Sequence, residues 1–267
     1  MCLNICYFVE IMNISRNHFI FLLSLVILGA CGGKKNSDNK SADNTEDGMG
    51  FQLVTSEESG IDFVNLLGQT EDKNIFDDIY FFNGSGVAVG DVNNDNLPDI
   101  FFGANQGTCK LYLNRGNFKF EDVTEKAGLT TTGWTTGVAM ADIDNDGWLD
   151  IYVSRSSPYV TDDNRKNLLF LNNKTGTFTE GAAGYGIDNS GFSTQASFFD
   201  ADNDGDLDMY LANRPIMYNG IYKENYKKYR FVDELGTHRM FINNKGKFQD
   251  ISEKSGVLCN GYGLSTN

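Results

Sequence analysis

Proline, histidine and positive charge are scarce in this sequence. Three prolines and 29 glycines in 267 residues, set among short runs of Phe, Tyr, Val and Ile, favour strands joined by turns over long helices. Lysine and arginine total 22 against 36 aspartates and glutamates, a net charge of −14, and such a surface repels nucleic-acid phosphates. No Cys-x-x-Cys spacing is present, which excludes cysteine zinc sites of that kind. Cys2 and Cys6 lie near the start, Cys31 follows an apolar run, and only Cys109 and Cys259 stand in the body of the chain. Sequence leaves open whether those two pair. The apolar run from Phe19 to Leu28 is ten residues long, too short to cross a bilayer as a helix. Downstream of it the one histidine, His238, has no recognisable nucleophile or base for company, which points away from catalysis.

What is present suffices for a substantial core, with 40% apolar and 13% aromatic residues. The start of the chain reads as an export signal over residues 1–30, with 1–11 ahead of Met12 a start-site artefact on this reading. Leu28-Gly29-Ala30-Cys31 resembles a bacterial lipobox, which implies a lipidated Cys31; the alternative is ordinary cleavage after Ala30. Residues 31–50, rich in Gly, Ser, Asn and charge, read as a flexible tether. The folded part is expected over 51–267.

That part is dominated by one pattern. The stretch DIDNDGWLD puts Asp142, Asp144, Asp146 and Asp150 at places 1, 3, 5 and 9 of a loop, with Gly147 at place 6. Carboxylates so spaced can point inward at one hard cation, and an all-oxygen set suits Ca²⁺. Glycine at place 6 fits a sharp turn. The pattern recurs as DVNNDNLPD at Asp91–Asp99, with Asp91, Asp95 and Asp99, and as DADNDGDLD at Asp200–Asp208, with Asp200, Asp202, Asp204 and Asp208. An EF-hand is excluded, because strands rather than helices are expected to flank these loops and place 12 of the second is Val153.

The loops are phased with a second motif. FEDVTEKAGL (Phe120 to Leu129), FTEGAAGYGI (Phe178 to Ile187) and FQDISEKSGV (Phe248 to Val257) share a frame, and Gly128 to Asp142 and Gly186 to Asp200 are both fourteen positions. Each repeat reads as a small-and-apolar run, an acidic loop, an alternating run, then LYLN, LFLN or MFIN, a turn and the Phe phrase. About four short strands recurring every 51 to 58 residues is the arithmetic of β-propeller blades. The fold class is therefore all-β, a propeller of four-stranded blades. The same count puts a fourth acidic loop at position 270 and predicts about three blades plus the start of a fourth, cut at the C-terminus. FQLVTSEESGIDF (Phe51 to Phe63) is a further copy of the Phe phrase, expected as a leading strand. The insertion Arg214 to Thr237, rich in Tyr and basic residues, is a candidate recognition loop.

GVAVGDVNNDNLPDIFFGANQG, GVAMADIDNDGWLDIYVS and ASFFDADNDGDLDMYLAN resemble FG-GAP repeats of the integrin α-subunit type and the related bacterial VCBS repeats. From Phe51 onward the chain is most similar to bacterial exported proteins like cartilage acidic protein. The resemblance implies a propeller with Ca²⁺ held between neighbouring strands of a blade, in up to three sites here. It implies as ligands Asp142, Asp144, Asp146, the Trp148 carbonyl and Asp150; Asp200, Asp202, Asp204, the Asp206 carbonyl and Asp208; and Asp91, Asn93, Asp95, the Leu97 carbonyl and Asp99. Asn93 and Asn96 depart from the pattern and predict weaker binding in that loop. The expected function is a non-catalytic binding or adhesion module on the outer membrane or cell surface, anchored through Cys31 and facing a glycan or protein ligand. A calcium-dependent, lyase-like polysaccharide enzyme is the alternative.

Overall fold

Each repeat folds into an antiparallel sheet whose strands follow one another in sequence. The computed structural model describes residues 51–215, 234–259, 263 and 265–266. The first sheet is β1 (Val87–Gly90), β2 (Asp99–Phe102), β3 (Lys110–Asn114) and β4 (Phe120–Asp122), hydrogen-bonded in that order. The second is β5 (Thr135–Ala141), β6 (Asp150–Arg155), β7 (Leu168–Asn172) and β8 (Phe178–Glu180). The third is β9 (Ser193–Phe199), β10 (Asp208–Asn213), β11 (Arg239–Asn243) and β12 (Phe248–Asp250). The fold is all-β, with three blade-like sheets of four strands among the described residues.

The middle sheet buries both of its faces against its neighbours. In the middle sheet, Val138, Ile151, Val153 and Phe170 pack toward Phe101 and Leu111 of the first. Tyr152 and Leu169 face the other way, onto Ala196, Met209 and Leu211 of the third. Most of these side chains are fully buried, and each contributes about 1.5–3 kcal/mol of transfer free energy.

The first strands of the three sheets lie side by side, β1 against β5 and β5 against β9. This crossing is narrow. A Cβ on Gly86 would sit 2.6 Å from the Val138 nitrogen, so the small residue that begins the GVA phrase is required by the approach of the next strand. Hydroxyls bridge these neighbours: Ser85 Oγ donates to the Thr135 carbonyl at 3.0 Å and Thr136 Oγ1 to the Ser193 carbonyl at 2.6 Å.

The Phe phrase holds more than a strand. After β8 and β12 it forms single helical turns, α3 (Ala182–Tyr185) and α4 (Ser252–Ser255), each closed by a left-handed glycine, Gly186 and Gly256. The early copy forms α1 (Ser56–Ser59), whose capping box joins Thr55 and Glu58 before Gly60. A further short helix, α2 (Asp162–Arg165), lies between β6 and β7. Gly60 and Gly186 dock on the outer strand of a sheet, a Cβ on Gly60 lying 2.5 Å from the Phe120 carbonyl oxygen and one on Gly186 3.2 Å from that of Phe248. The leading strand expected at Phe51 does not form. Residues 51–55 carry no strand, and Leu53 is 86% exposed, because a strand needs a partner for its backbone groups and none pairs here.

Cys109 and Cys259 are both free, the first buried and the second exposed. The Cys109 thiol instead lies 3.3 Å from Thr135 Oγ1. The export signal, Cys31, the tether and residues 216–233 of the insertion lie outside the described residues. Among those described, no helix is long and apolar enough to cross a membrane.

Candidate functional site: the acidic loops

Each acidic loop joins the first and second strands of a sheet and is built by its own side chains. The place-1 aspartate accepts the backbone N–H groups of places 5 and 6: Asp142 Oδ1 from Asp146 at 2.9 Å and Oδ2 from Gly147 at 2.8 Å. Asp91 and Asp200 do the same for Asp95 and Asn96, and for Asp204 and Gly205. The place-5 aspartate then accepts from place 7, as Asp146 Oδ1 does from Trp148 at 3.0 Å. Such short side-chain-to-backbone bonds turn the chain without a sheet partner.

Place 4 is asparagine in all three loops and left-handed in all three, with φ of 56° at Asn94, 57° at Asn145 and 63° at Asn203. Place 6 is left-handed as well, through Gly147, Gly205 and Asn96. Asparagine tolerates this region better than other residues with a side chain. Two left-handed residues flanking place 5 fold the loop tightly enough for places 1, 3 and 5 to share one side.

In the second loop the carboxylates of Asp142, Asp144 and Asp146 converge, and in the third those of Asp200, Asp202 and Asp208, with the atoms of each set within 4.8 Å of one another. Burial, with the neighbouring Asp146 and Asp142 charges, raises the pKa of Asp144. Asp202 is raised by the same kinds of cause, with Asp204 the largest charge. An all-oxygen donor set of this charge fits a hard divalent cation. The first loop brings no such set together. Asn93 at place 3 turns its amide to Asp95, Nδ2 donating to Oδ2 at 3.0 Å, which ties up that oxygen within the loop.

Place 9 is buried in every loop: Asp99, Asp150 and Asp208 are each 1% exposed or less. Asp150 Oδ2 accepts from the Ile143 N–H at 3.0 Å and Oδ1 from the Asn172 N–H at 2.8 Å. Asp99 clamps Val92 and Asn114, and Asp208 clamps Ala201 and Asn243, in the same way. Desolvation outweighs these bonds and pushes Asp150 up to about 6, with Asp99 raised for the same reason.

The partner of that clamp is the asparagine ending LYLN, LFLN and MFIN, to which sequence reasoning gave no role. Asn172 Nδ2 donates to the Leu149 carbonyl of its own loop at 3.1 Å and to the Val92 carbonyl of the preceding loop at 2.8 Å. Asn243 likewise reaches Leu207 at 3.1 Å. Recurrence at the end of every third strand was the available signal. At the opposite end, Arg214 of the insertion is buried rather than presented, ion-paired with Asp78 at 2.7 Å and stacked over Tyr80. His238 is structural: its Nδ1 accepts the Asn213 N–H, and burial lowers its pKa.

The family model of the FG-GAP-like repeat matches residues 91–153 and 159–211, which begin at the first acidic loop and run through the third. Cartilage acidic protein 1 of Mus musculus is 29% identical over 139 residues, 51% of this chain and 21% of that protein. Its counterpart in Xenopus tropicalis is 30% identical over 146 residues, 53% of this chain and 22% of that protein. The chain thus spans about a fifth of the length of these curated relatives. A solved structure of an Agrocybe aegerita lectin, described for its recognition of non-reducing terminal N-acetylglucosamine, aligns over 61% of this chain and 36% of that one at TM-score 0.31 and 18% identity. Motif and strand order agree with the family match, and residues 91–153 and 159–211 are FG-GAP-like repeats.

Proposed function

We propose that this protein is an exported, lipid-anchored binding module in which Ca²⁺ stiffens the blades and loops at the blade ends recognise a glycan or protein ligand. The observation that carries the calcium reading is the convergence of three carboxylates in the second loop and again in the third. Like charges this close raise one another's pKa and oppose folding unless a cation neutralises them. Asp142, Asp144, Asp146, the Trp148 carbonyl and Asp150 would hold one ion. Asp200, Asp202, Asp204, the Asp206 carbonyl and Asp208 would hold another. Asp91, Asn93, Asp95, the Leu97 carbonyl and Asp99 form the weakest site. Extracellular calcium modules bind at roughly 10⁻⁴ to 10⁻³ M, so the ion acts as a staple outside the cell, where Cys31 would fix the chain to a membrane.

Calorimetric titration of the full chain tests this reading. Two strong calcium equivalents are expected, falling to one in Asp144→Ala. Removing calcium with EDTA from a level about a hundredfold above Kd removes roughly 2.7 kcal/mol per site. For two sites this lowers Tm by about 10 °C or more. An EDTA-insensitive melting curve with no saturable heat rejects the calcium sites.

A further inference from the structure

We propose a ligand site at the end of the blades remote from the acidic loops, one that takes a carboxylate-bearing sugar. The proposal rests on the binding-module reading and names the ligand class and the place. β5 runs from Thr135 to Ala141 and enters its acidic loop there, so Trp134 stands about 20 Å away at the other end of that strand. A cavity of about 390 Å³ opens at this end, lined by Lys73, Gln106, Thr108, Thr132, Gly133 and Trp134 among others. That volume lies in the range of small-molecule sites.

Trp134 is only 7% exposed and packs on Phe81 and Tyr159, with ring centroids 5.2 and 6.2 Å away. Its indole N–H has no acceptor among the described residues. Among the described residues the fully buried side-chain nitrogens and oxygens lacking a partner are Asn213 Oδ1 and Arg239 Nε, so the indole nitrogen, unpaired and absent from that pair, reaches solvent. A buried tryptophan normally finds an acceptor for this group. Lys73 on the rim is exposed and makes no ion pair among the described residues. Both groups are donors without a lone pair to offer, and although Trp134 also borders a second cavity beside Tyr80, Thr136 and Arg214, only the one it shares with Lys73 offers acceptor oxygens two such unpaired donors.

The floor adds positive potential. A Cβ on Gly133 would meet Arg155 Nη1 at 3.1 Å, and Arg155 is 5% exposed. Its guanidinium bonds the Thr132 carbonyl at 2.7 Å and the Lys166 carbonyl, and no carboxylate pairs with it among the described residues. Glu71 and Asp72 precede Lys73 in the chain but do not line the cavity, and no carboxylate lines it. A uronate carboxylate meets Lys73 and the indole N–H, while the Thr108 and Thr132 hydroxyls, which make no hydrogen bond among the described residues, serve the ring hydroxyls.

The two tryptophans of the chain, Trp134 and Trp148, stand at opposite ends and separate the two readings. In full-length Trp148→Phe, Trp134 fluorescence is titrated with glucuronic acid at fixed calcium. A saturable change is expected, absent with glucose, acetate or the glucuronate methyl ester at equal concentrations and weakened at least fivefold by Lys73→Ala. In Trp134→Phe, Trp148 reports calcium alone. A calcium response with no glucuronate response overturns the sugar site and leaves the calcium reading standing. Equal binding of the ester, glucose or acetate also overturns it, as does an unchanged Lys73→Ala. Glucuronate binding with no calcium response upholds the site and rejects the metal at the second loop.

Discussion

The loops Asp91–Asp99 and Asp142–Asp150 trace the same path and differ in what they do with place 3. Both anchor places 5 and 6 on a place-1 aspartate, both pass through a left-handed asparagine at place 4, and both end on a buried aspartate clamping two backbone N–H groups. In the first, Asn93 closes on Asp95 and the loop satisfies itself. In the second, Asp144 adds a third converging charge, and Lys174 pairs with Asp146 at 3.0 Å. The loop conformation is thus set by hydrogen bonds independent of any cation, and one side chain sets whether the carboxylates converge.

The largest test of that separation is place 9. Asp99→Ala and Asp150→Ala should each destabilise the fold by about 2–5 kcal/mol in EDTA, since each strands two buried N–H donors. Urea unfolding measures this; a loss seen only for Asp150, and only with calcium present, would show that place 9 stabilises through the ion and not through its clamp. Next, Asn93→Asp should convert the first loop into a strong site, raising the calorimetric stoichiometry from two to three. An unchanged count would place the deficiency elsewhere in the loop, with Asn96 at place 6 the next position to exchange.

Acidity gives a smaller effect of definite sign. Asp150 is held up at about 6 and Asp99 is raised, so the cation-free folded state binds protons more tightly than the unfolded chain, whose aspartates titrate near 4. Stability in EDTA therefore rises as pH falls from about 6 toward 4, and is lost as pH climbs through 6. Melting curves at pH 7, 6 and 5 read it out; a Tm that falls over this range contradicts the buried, unneutralised place 9. The smallest effect is that of Lys174→Ala, which frees Asp146 of a half-exposed ion pair and should tighten calcium at the second loop by about two- to fivefold, leaving the third unchanged. Equal tightening at both would mark a general charge effect.

Much of the blade was legible because its signals are local and repeated. Alternating runs such as DIYVSR gave β6, and GVA before each of the first two acidic loops marked a first strand. The helical turns α1, α3 and α4 were missed, since a four-residue turn inside a strand-like phrase has no periodicity to detect. At the loops, the spacing of aspartates was readable, whereas the clamping roles of Asp99, Asp150 and Asp208 were not. A carboxylate at place 9 reads in sequence as a ligand, and only its burial against the third strand shows that it also holds Asn114, Asn172 and Asn243.

By itself the sequence determined the repeat, its phase, the strand count per blade and the residues of the acidic loops, because these depend on neighbours within about ten positions. Tertiary structure decided which carboxylates converge, why Gly86 must be small, and that Arg214 is buried against Asp78, 136 positions away. It also placed Trp134 and Lys73 around one cavity, with Arg155 behind Gly133. Those outcomes depend on how adjacent blades press together, and packing between segments distant in the chain leaves no periodic trace in the sequence.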